Sequence, residues 1–240
     1  MVQKKNDYRL NRFLARSGIE SRRKSDLLIQ SGKVSVNGRI VTIPGFRVST
    51  EDEVKYMGDT VRLRQLGTAV LNKPHGFETT LSPHSKRSIL ALIKDLPPGT
   101  VPVGRLDINT GGLIILSNDG ELVNRLTHPS WEVEREYRVF LKKPPVISDL
   151  RSLRRGASIG HGEFSKPLSV ESRDRNSVNI VLVTGRNHEI RRLFEACGIQ
   201  LAGLERVRYG PITLKGLKRG KWRLLNENEL EALMSAVQLA

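Results

Sequence analysis

The run Gly104-Arg105-Leu106-Asp107-Ile108-Asn109-Thr110-Gly111-Gly112-Leu113-Ile114-Ile115-Leu116-Ser117-Asn118-Asp119-Gly120 constrains this chain more than any other segment. Its first half is polar and flanked by glycine, which is turn chemistry. Its second half is a short apolar run closed by polar residues, which reads as a buried strand over Gly112–Leu116. One carboxylate, Asp107, is thereby presented at the edge of a sheet, with Arg105 two residues before it, where a ligand can reach it. Taken alone, an Asp ahead of a Thr/Gly segment is also an ordinary turn cap. The rest of the chain has to decide between the two readings.

Charge narrows the partners. The chain carries a formal net charge of +15 over 240 residues, which points to nucleic acid or an anionic membrane surface. No apolar stretch approaches the ~20 residues that span a bilayer, so no membrane is expected. Met1–Leu10 is polar and reads as no secretory leader. The single Cys197 excludes an internal disulfide framework and fits a reducing cytoplasm. The five histidines form no ligand-spaced pair with it, so no metal site is expected. Gly111-Gly112 matches neither a Walker nor a dinucleotide motif, and no organic cofactor is expected.

Residues 1–66 hold 14 Lys and Arg against 7 Asp and Glu. Leu10, Phe13 and Leu14 have helical spacing up to Gly18. Ser21 reads as the N-cap of a second helix that Gly32 stops. Lys33 to Val41 alternates around Asn37-Gly38, the strongest short-range hairpin signal. Val48 to Tyr56 reads as one further strand, and a linker is expected near Asp59–Gly67. Beyond it, short strands alternate with helices. Strands are expected at Ala69–Asn72, Glu136–Leu141 and Ser177–Val183. Helical patterns cover Ser88–Ile93, Asp119–Leu126, His188–Cys197 and Glu227–Val237. Few long helices and strands in several orders make an α+β fold around a mixed, mostly antiparallel sheet.

Arg9, Arg12, Arg16, Arg22, Arg23 and Lys24 crowd the two N-terminal helices, and Lys33 and Arg39 flank the hairpin. Cations at this density suit phosphates. A DNA-binding helix-turn-helix is disfavoured by the hairpin directly after helix two. The layout of Arg9–Gly18, Ser21-Arg22-Arg23 and Gly32–Gly38 resembles the S4 RNA-binding domain.

Three further blocks carry a resemblance to the bacterial ribosomal-RNA pseudouridine synthases of the RsuA/RluB type. They are Leu71–Phe77 with Thr79 and Thr80; Gly104–Gly120 with His128-Pro129-Ser130 and Glu134–Val139; and Thr184–Leu193. The tail, Arg206–Ile212 with Gly220–Arg223, looks more like the large-subunit RluB branch. The resemblance implies a small S4-like αα-hairpin domain over residues 1–62 and a catalytic domain over 67–240. The implied partner is ribosomal RNA or a pre-ribosomal particle, and the implied state is a monomer.

By the same resemblance Asp107 is the reacting carboxylate, Arg186 its pairing cation, and Tyr137 the active-site tyrosine that stacks on uracil. A guanidinium suits the first pairing because it holds a carboxylate bidentately. Attack at the sugar, attack on the base and deprotonation to a glycal all stay open. Arg105 is expected to fill the space a flipped uridine leaves or to contact the neighbouring phosphate. Lys73, Arg191 and Arg192 are expected along the RNA path. Arg135 stands where the family often has Lys, and Glu189 where it often has Gln. The rival reading is a non-catalytic, S4-type RNA-binding assembly factor. Trp131 and Trp222 read as packing residues.

Overall fold

The computed structural model describes residues 7–239; Met1–Asn6, at the start of the polar N-terminus, and Ala240 lie outside them. The chain divides into two compact units: the first runs to Leu66 and takes in Pro97–Gly99, and the second comprises Gly67–Leu96 and the chain from Thr100 on.

The first unit runs β1 (Asp7–Arg9), α1 (Leu10–Arg16), α2 (Arg22–Gln30), β2 (Val34–Val36), β3 (Arg39–Ile40), β4 (Arg47–Ser49), β5 (Val54–Tyr56) and β6 (Asp59–Thr60). Ser21 caps α2 by accepting the Lys24 N–H at 3.4 Å. Asn37 and Gly38 both take positive φ, as a two-residue hairpin turn between β2 and β3 demands. Leu10, Leu14, Ile29, Val34, Val48 and Val54 form one core, each worth about 1.5–3 kcal/mol on burial. The stretch Val48–Tyr56 is not one strand. Asp52 turns the chain by accepting the Ser49 N–H at 2.6 Å and the Asn37 amide at 2.8 Å. β4 therefore pairs with β1, while β5 pairs with β2. Asp59–Thr60, expected as linker, is instead the edge strand on β5.

The second unit contains β7 (Thr68–Lys73), β8 (Val101–Pro102), β9 (Gly111–Ser117), α3 (Gly120–Thr127), β10 (Arg135–Leu141), α4 (Ile147–Arg155), β11 (Ala157–Ser158), β12 (Phe164–Ser165), β13 (Ser169–Asp174), β14 (Ser177–Leu182), α5 (Glu189–Ala196), β15 (Leu201–Tyr209), β16 (Ile212–Thr213), β17 (Trp222–Leu224) and α6 (Glu227–Ser235). Its main sheet has the order β13-β14-β10-β15-β9-β7-β17, with β16 beside β15 and β8 beside β9. Every pairing is antiparallel except β15 with β9. The fold is thus α+β on a mostly antiparallel sheet.

β9 explains its own sequence. All seven residues are buried. Leu113 and Ile115 pack on one face with Leu122, Leu126 and Leu233. Ile114 and Leu116 pack on the other with Leu71, Ile89 and Ile93. A strand covered on both faces loses alternation and reads as a continuous apolar run. A third cluster joins β10 and β14 to α4 and α5 through Val139, Leu153, Ile180, Leu193 and Phe194. Both tryptophans pack: Trp131 lies against the first of these clusters and Trp222 against the second. Among the described residues no helix is long and apolar enough to cross a membrane.

Candidate active site

Asp107 lies in the loop between β8 and β9, on the wall of a cleft of about 600 Å³. The first sequence block builds that loop. The Thr79 hydroxyl donates to the Leu106 carbonyl at 2.7 Å and accepts the Leu106 N–H at 3.1 Å. The Gly76 N–H donates to the Ile108 carbonyl at 2.7 Å. His75 Nδ1 lies 3.3 Å from the Asn109 carbonyl, and its Nε2 lies 3.2 Å from Glu205. Arg191 closes the loop from α5, donating to the Asn109 carbonyl at 2.9 Å and reaching the Thr110 hydroxyl at 3.4 Å. A carboxylate at 37% exposure is thus carried on a backbone tied from several directions.

Tyr137 and Arg186 line the same cleft. Tyr137 comes from β10, Arg186 from the turn into α5, and Asp107 from 30 residues ahead of the former, so the three meet only in the folded chain. Arg105 is exposed and also lines the cleft.

The expected pairing of Arg186 with Asp107 is not what the structure contains. Arg186 Nη1 donates to the Phe164 carbonyl at 2.7 Å and lies 3.4 Å from Glu189 Oε1. Its Nε is 3.8 Å from Glu163. The side chain that meets Asp107 is His188, whose Nδ1 is 3.3 Å from Asp107 Oδ2. His188 stands inside the third block, Thr184–Leu193, where the sequence alone marks no partner for it.

Glu189 explains the diversion. Only 4% exposed, it accepts from the Ser165 hydroxyl at 2.8 Å, the Thr184 hydroxyl at 2.6 Å and the Arg186 N–H at 3.0 Å. A buried carboxylate needs this many donors to stay charged at low cost. It faces inward, so it is no RNA-facing group.

The three cations expected on the RNA path each hold part of the fold, and Arg191 also lines the cleft. Lys73 is fully buried, because the register of β7 turns it inward on the same face as Leu71. Its ammonium donates to the carbonyls of Phe77 at 2.6 Å and Pro74 at 3.1 Å. Burial lowers its pKa to about 8, while the charge of Asp107 acts the other way. Arg191 holds the Asp107 loop, as described above. Arg192 donates to the carbonyls of Ile159 at 2.6 Å and Gly160 at 3.0 Å, and to Glu163 at 2.8 Å. It fastens the β11–β12 hairpin onto α5.

The cleft floor carries Arg135, also buried. It donates to the carbonyls of Val183 at 2.7 Å and Leu126 at 3.0 Å, and to the Tyr209 hydroxyl at 3.1 Å. Within the first unit, Arg9, Arg22, Arg23, Lys24, Lys33 and Arg39 are exposed. Arg12 and Arg16 are half-buried, their guanidinium carbons 5.7 and 5.0 Å from the centre of the Tyr8 ring. Arg22, Arg23 and Lys24 form the first turn of α2, which contains no acid. Cations there oppose the helix dipole, so helix stability does not account for them.

Comparison with known proteins agrees with this architecture. The model of the RNA pseudouridylate synthase family matches residues 67–196, and the S4 domain model matches 9–54. An uncharacterized RNA pseudouridine synthase of Aquifex aeolicus is 39% identical, covering 97% of this chain and 96% of its own length. Ribosomal large subunit pseudouridine synthase B of Bacillus subtilis is 35% identical over 94% of this chain and 95% of its own. A crystal structure of a pseudouridylate synthase is 29% identical with a TM-score of 0.68, covering 94% of this chain and 99% of that one.

Proposed function

The chain belongs to the RNA pseudouridylate synthase family, and from that premise we propose that it converts one uridine of large-subunit ribosomal RNA to pseudouridine, with Asp107 as the reacting carboxylate. The large-subunit assignment rests on the relatives named ribosomal large subunit pseudouridine synthase B. The observation that carries the assignment of the carboxylate is the convergence of Asp107, Tyr137 and Arg186 on one cleft.

The chemistry is an isomerisation. The bond from N1 of uracil to C1′ of ribose breaks, the base turns, and C5 bonds to C1′. C5 loses its hydrogen and N1 gains one, so no atom or electron is left over. Each open route uses Asp107 ionised, as nucleophile or as base. Tyr137 offers a ring to stack on the uracil face. A uridine inside folded RNA has to leave its stack first, at a cost of a few kcal/mol. Arg105, exposed at the cleft, is placed to take the vacated space or a flanking phosphate. The exposed cations of β1, α2 and the β2–β3 hairpin hold the RNA by its backbone, since helical RNA offers shape and phosphate more than base edges.

The test uses ribosomal RNA from a strain lacking this gene, incubated with wild type or Asp107→Asn. Pseudouridine is mapped by carbodiimide-dependent stops of reverse transcription. One new stop in large-subunit RNA, with wild type only, is the expected result. Tight binding with no stop on RNA or subunit precursors overturns the enzymatic role and favours the assembly-factor reading.

A further inference from the structure

We propose that His75 is a positioning residue of the site: its imidazole, donating from both ring nitrogens, clasps the loop that carries Asp107 to β15. This rests on the reading of Asp107 as the reacting group.

The first observation is what the ring meets. Nδ1 lies 3.3 Å from the Asn109 carbonyl, and Nε2 lies 3.2 Å from Glu205 Oε1. Both partners only accept, and Glu205 is a carboxylate that also pairs with Arg219. A neutral imidazole has one N–H and can donate to one of them. The imidazolium donates to both. Asn109 stands two residues after Asp107, and Glu205 stands on β15, so the charged ring joins the loop to the sheet.

The second observation is the seat of the ring. Gly111 is in register with Glu205 where β9 and β15 run parallel. It is not among the glycines at positive φ, so its backbone conformation does not call for glycine. A Cβ at Gly111 would lie 2.8 Å from His75 Nε2 and 3.1 Å from its Cδ2. The missing side chain makes the room that the imidazole takes up beside Glu205.

The surrounding charges fit this role. Arg191 of α5 donates to the same Asn109 carbonyl at 2.9 Å, and a carbonyl oxygen has lone pairs for two donors. Arg219, ahead of β17, holds Glu205 from the other side. The His75 side chain is 37% exposed, so it is no core filler. Loss of one proton from the ring therefore frees one end of the clasp and slackens the Asp107 loop. Turnover then depends on pH through the loop as well as through the reacting groups.

Three substitutions test this. Glutamine in place of His75 keeps one donor group at any pH. Serine in place of Gly111 pushes the ring from its seat while His75 stays in the chain. Glutamine in place of Glu205 can donate its amide to Nε2 of a neutral ring, whose Nδ1–H still reaches Asn109. Tritium release from C5-tritiated large-subunit RNA is measured at pH 6 and pH 8.5, on either side of the range where histidine changes charge. Rates are separated into kcat and KM, and folding is followed by thermal melting. We expect the kcat of wild type to exceed that of His75→Gln and of Gly111→Ser by about tenfold at pH 6, the scale of one hydrogen bond to a charged group. At pH 8.5 the excess should shrink to about twofold or less, with KM moved less than about twofold throughout. Glu205→Gln should gain on wild type by about fivefold between the two pH values. Ratios to wild type that do not change with pH, or losses that fall on KM, overturn the proposal. Asp107→Asn runs beside them: release by that variant refutes the reading of Asp107, whereas a dead Asp107→Asn with pH-independent ratios for the other three refutes only the role of His75.

Discussion

Gly112 and Arg206 meet backbone to backbone: a Cβ on Gly112 would lie 2.2 Å from the Arg206 carbonyl oxygen. The contact falls where β9 and β15 pair in parallel, with Arg206 in register with Gly112. Gly112 also has φ +96°, so it needs glycine for two reasons. Gly112→Ala is expected to cost about 3 kcal/mol or more, a fall of roughly 6 °C or more in melting midpoint for a unit of this size. Gly120→Ala is the control. Gly120 opens α3 with no atom within 4 Å of an added Cβ, and Ala favours a helix over Gly. Thermal melts of the two variants should move in opposite directions, or the second not at all.

Arg135 is held by three acceptors at once, the carbonyls of Val183 and Leu126 and the hydroxyl of Tyr209. Its guanidinium also lies 5.0 Å from the centre of the Tyr209 ring. Lysine carries its donors on one atom and cannot span that fork. Arg135→Lys is therefore expected to lower stability by about 1–2 kcal/mol, the cost of leaving one or two buried acceptors unpaired. Urea denaturation followed by circular dichroism reads it as a lower midpoint with the same slope.

The parts of this molecule that local rules govern were legible in the chain. Ser21 at its cap, Asn37-Gly38 at its turn and the apolar run of β9 each carry their signal within a few residues. β15 does not. It contains Glu205, Arg206 and Arg208, which read as surface, yet Arg206 is only 2% exposed and donates to the Leu113 carbonyl at 2.7 Å. That acceptor lies 93 residues away, so no local pattern announces it. α4 was equally hidden, because Leu153 is its one buried residue. At the site, resemblance supplied Asp107, Tyr137 and Arg186, and the fold gathers them. Charge alone did not reveal that Lys73, Arg191 and Arg192 also hold the fold together, since sequence gives a cation its sign and tertiary structure gives it its direction. His188 was missed because its partner, Asp107, is distant along the chain.

Glu229 ties α6 to the sheet and makes stability depend on pH. It is 7% exposed and takes both guanidinium nitrogens of Arg223, at 2.6 and 2.9 Å, with Lys215 at 3.1 Å. Hydrogen bonding from Arg223, then from Lys215 and Asn226, lowers its pKa from 4.5 to about 2. A depressed carboxylate stabilises the fold above its unfolded pKa, and the gain is lost as pH falls through the folded one. Glu229→Gln should thus cost on the order of 1–3 kcal/mol at pH 7. The gap to wild type should narrow between pH 4.5 and about 2. Urea midpoints at pH 7, 4 and 2.5 check the trend; a gap that is constant across them would detach it from this carboxylate.

The cations of the two units should separate in the salt dependence of RNA binding. Each exposed Lys or Arg that neutralises a phosphate releases counterions, so its removal lowers the slope of log affinity against log salt by about one. Arg22 and Arg23 are exposed in the first turn of α2, where the helix dipole disfavours them and a phosphate would compensate. Arg22→Ala and Arg23→Ala are each expected to take about one unit from the slope and leave kcat at saturation unchanged. Arg192 has its donors filled by Ile159, Gly160 and Glu163. Arg192→Ala should leave the slope alone, lower kcat by loosening the turn that carries His188 and Arg186, and open Ile159–Glu163 to protease. Filter binding between 50 and 300 mM salt, with limited proteolysis beside it, distinguishes the two kinds of cation. A slope that drops for Arg192→Ala would put that residue back on the RNA.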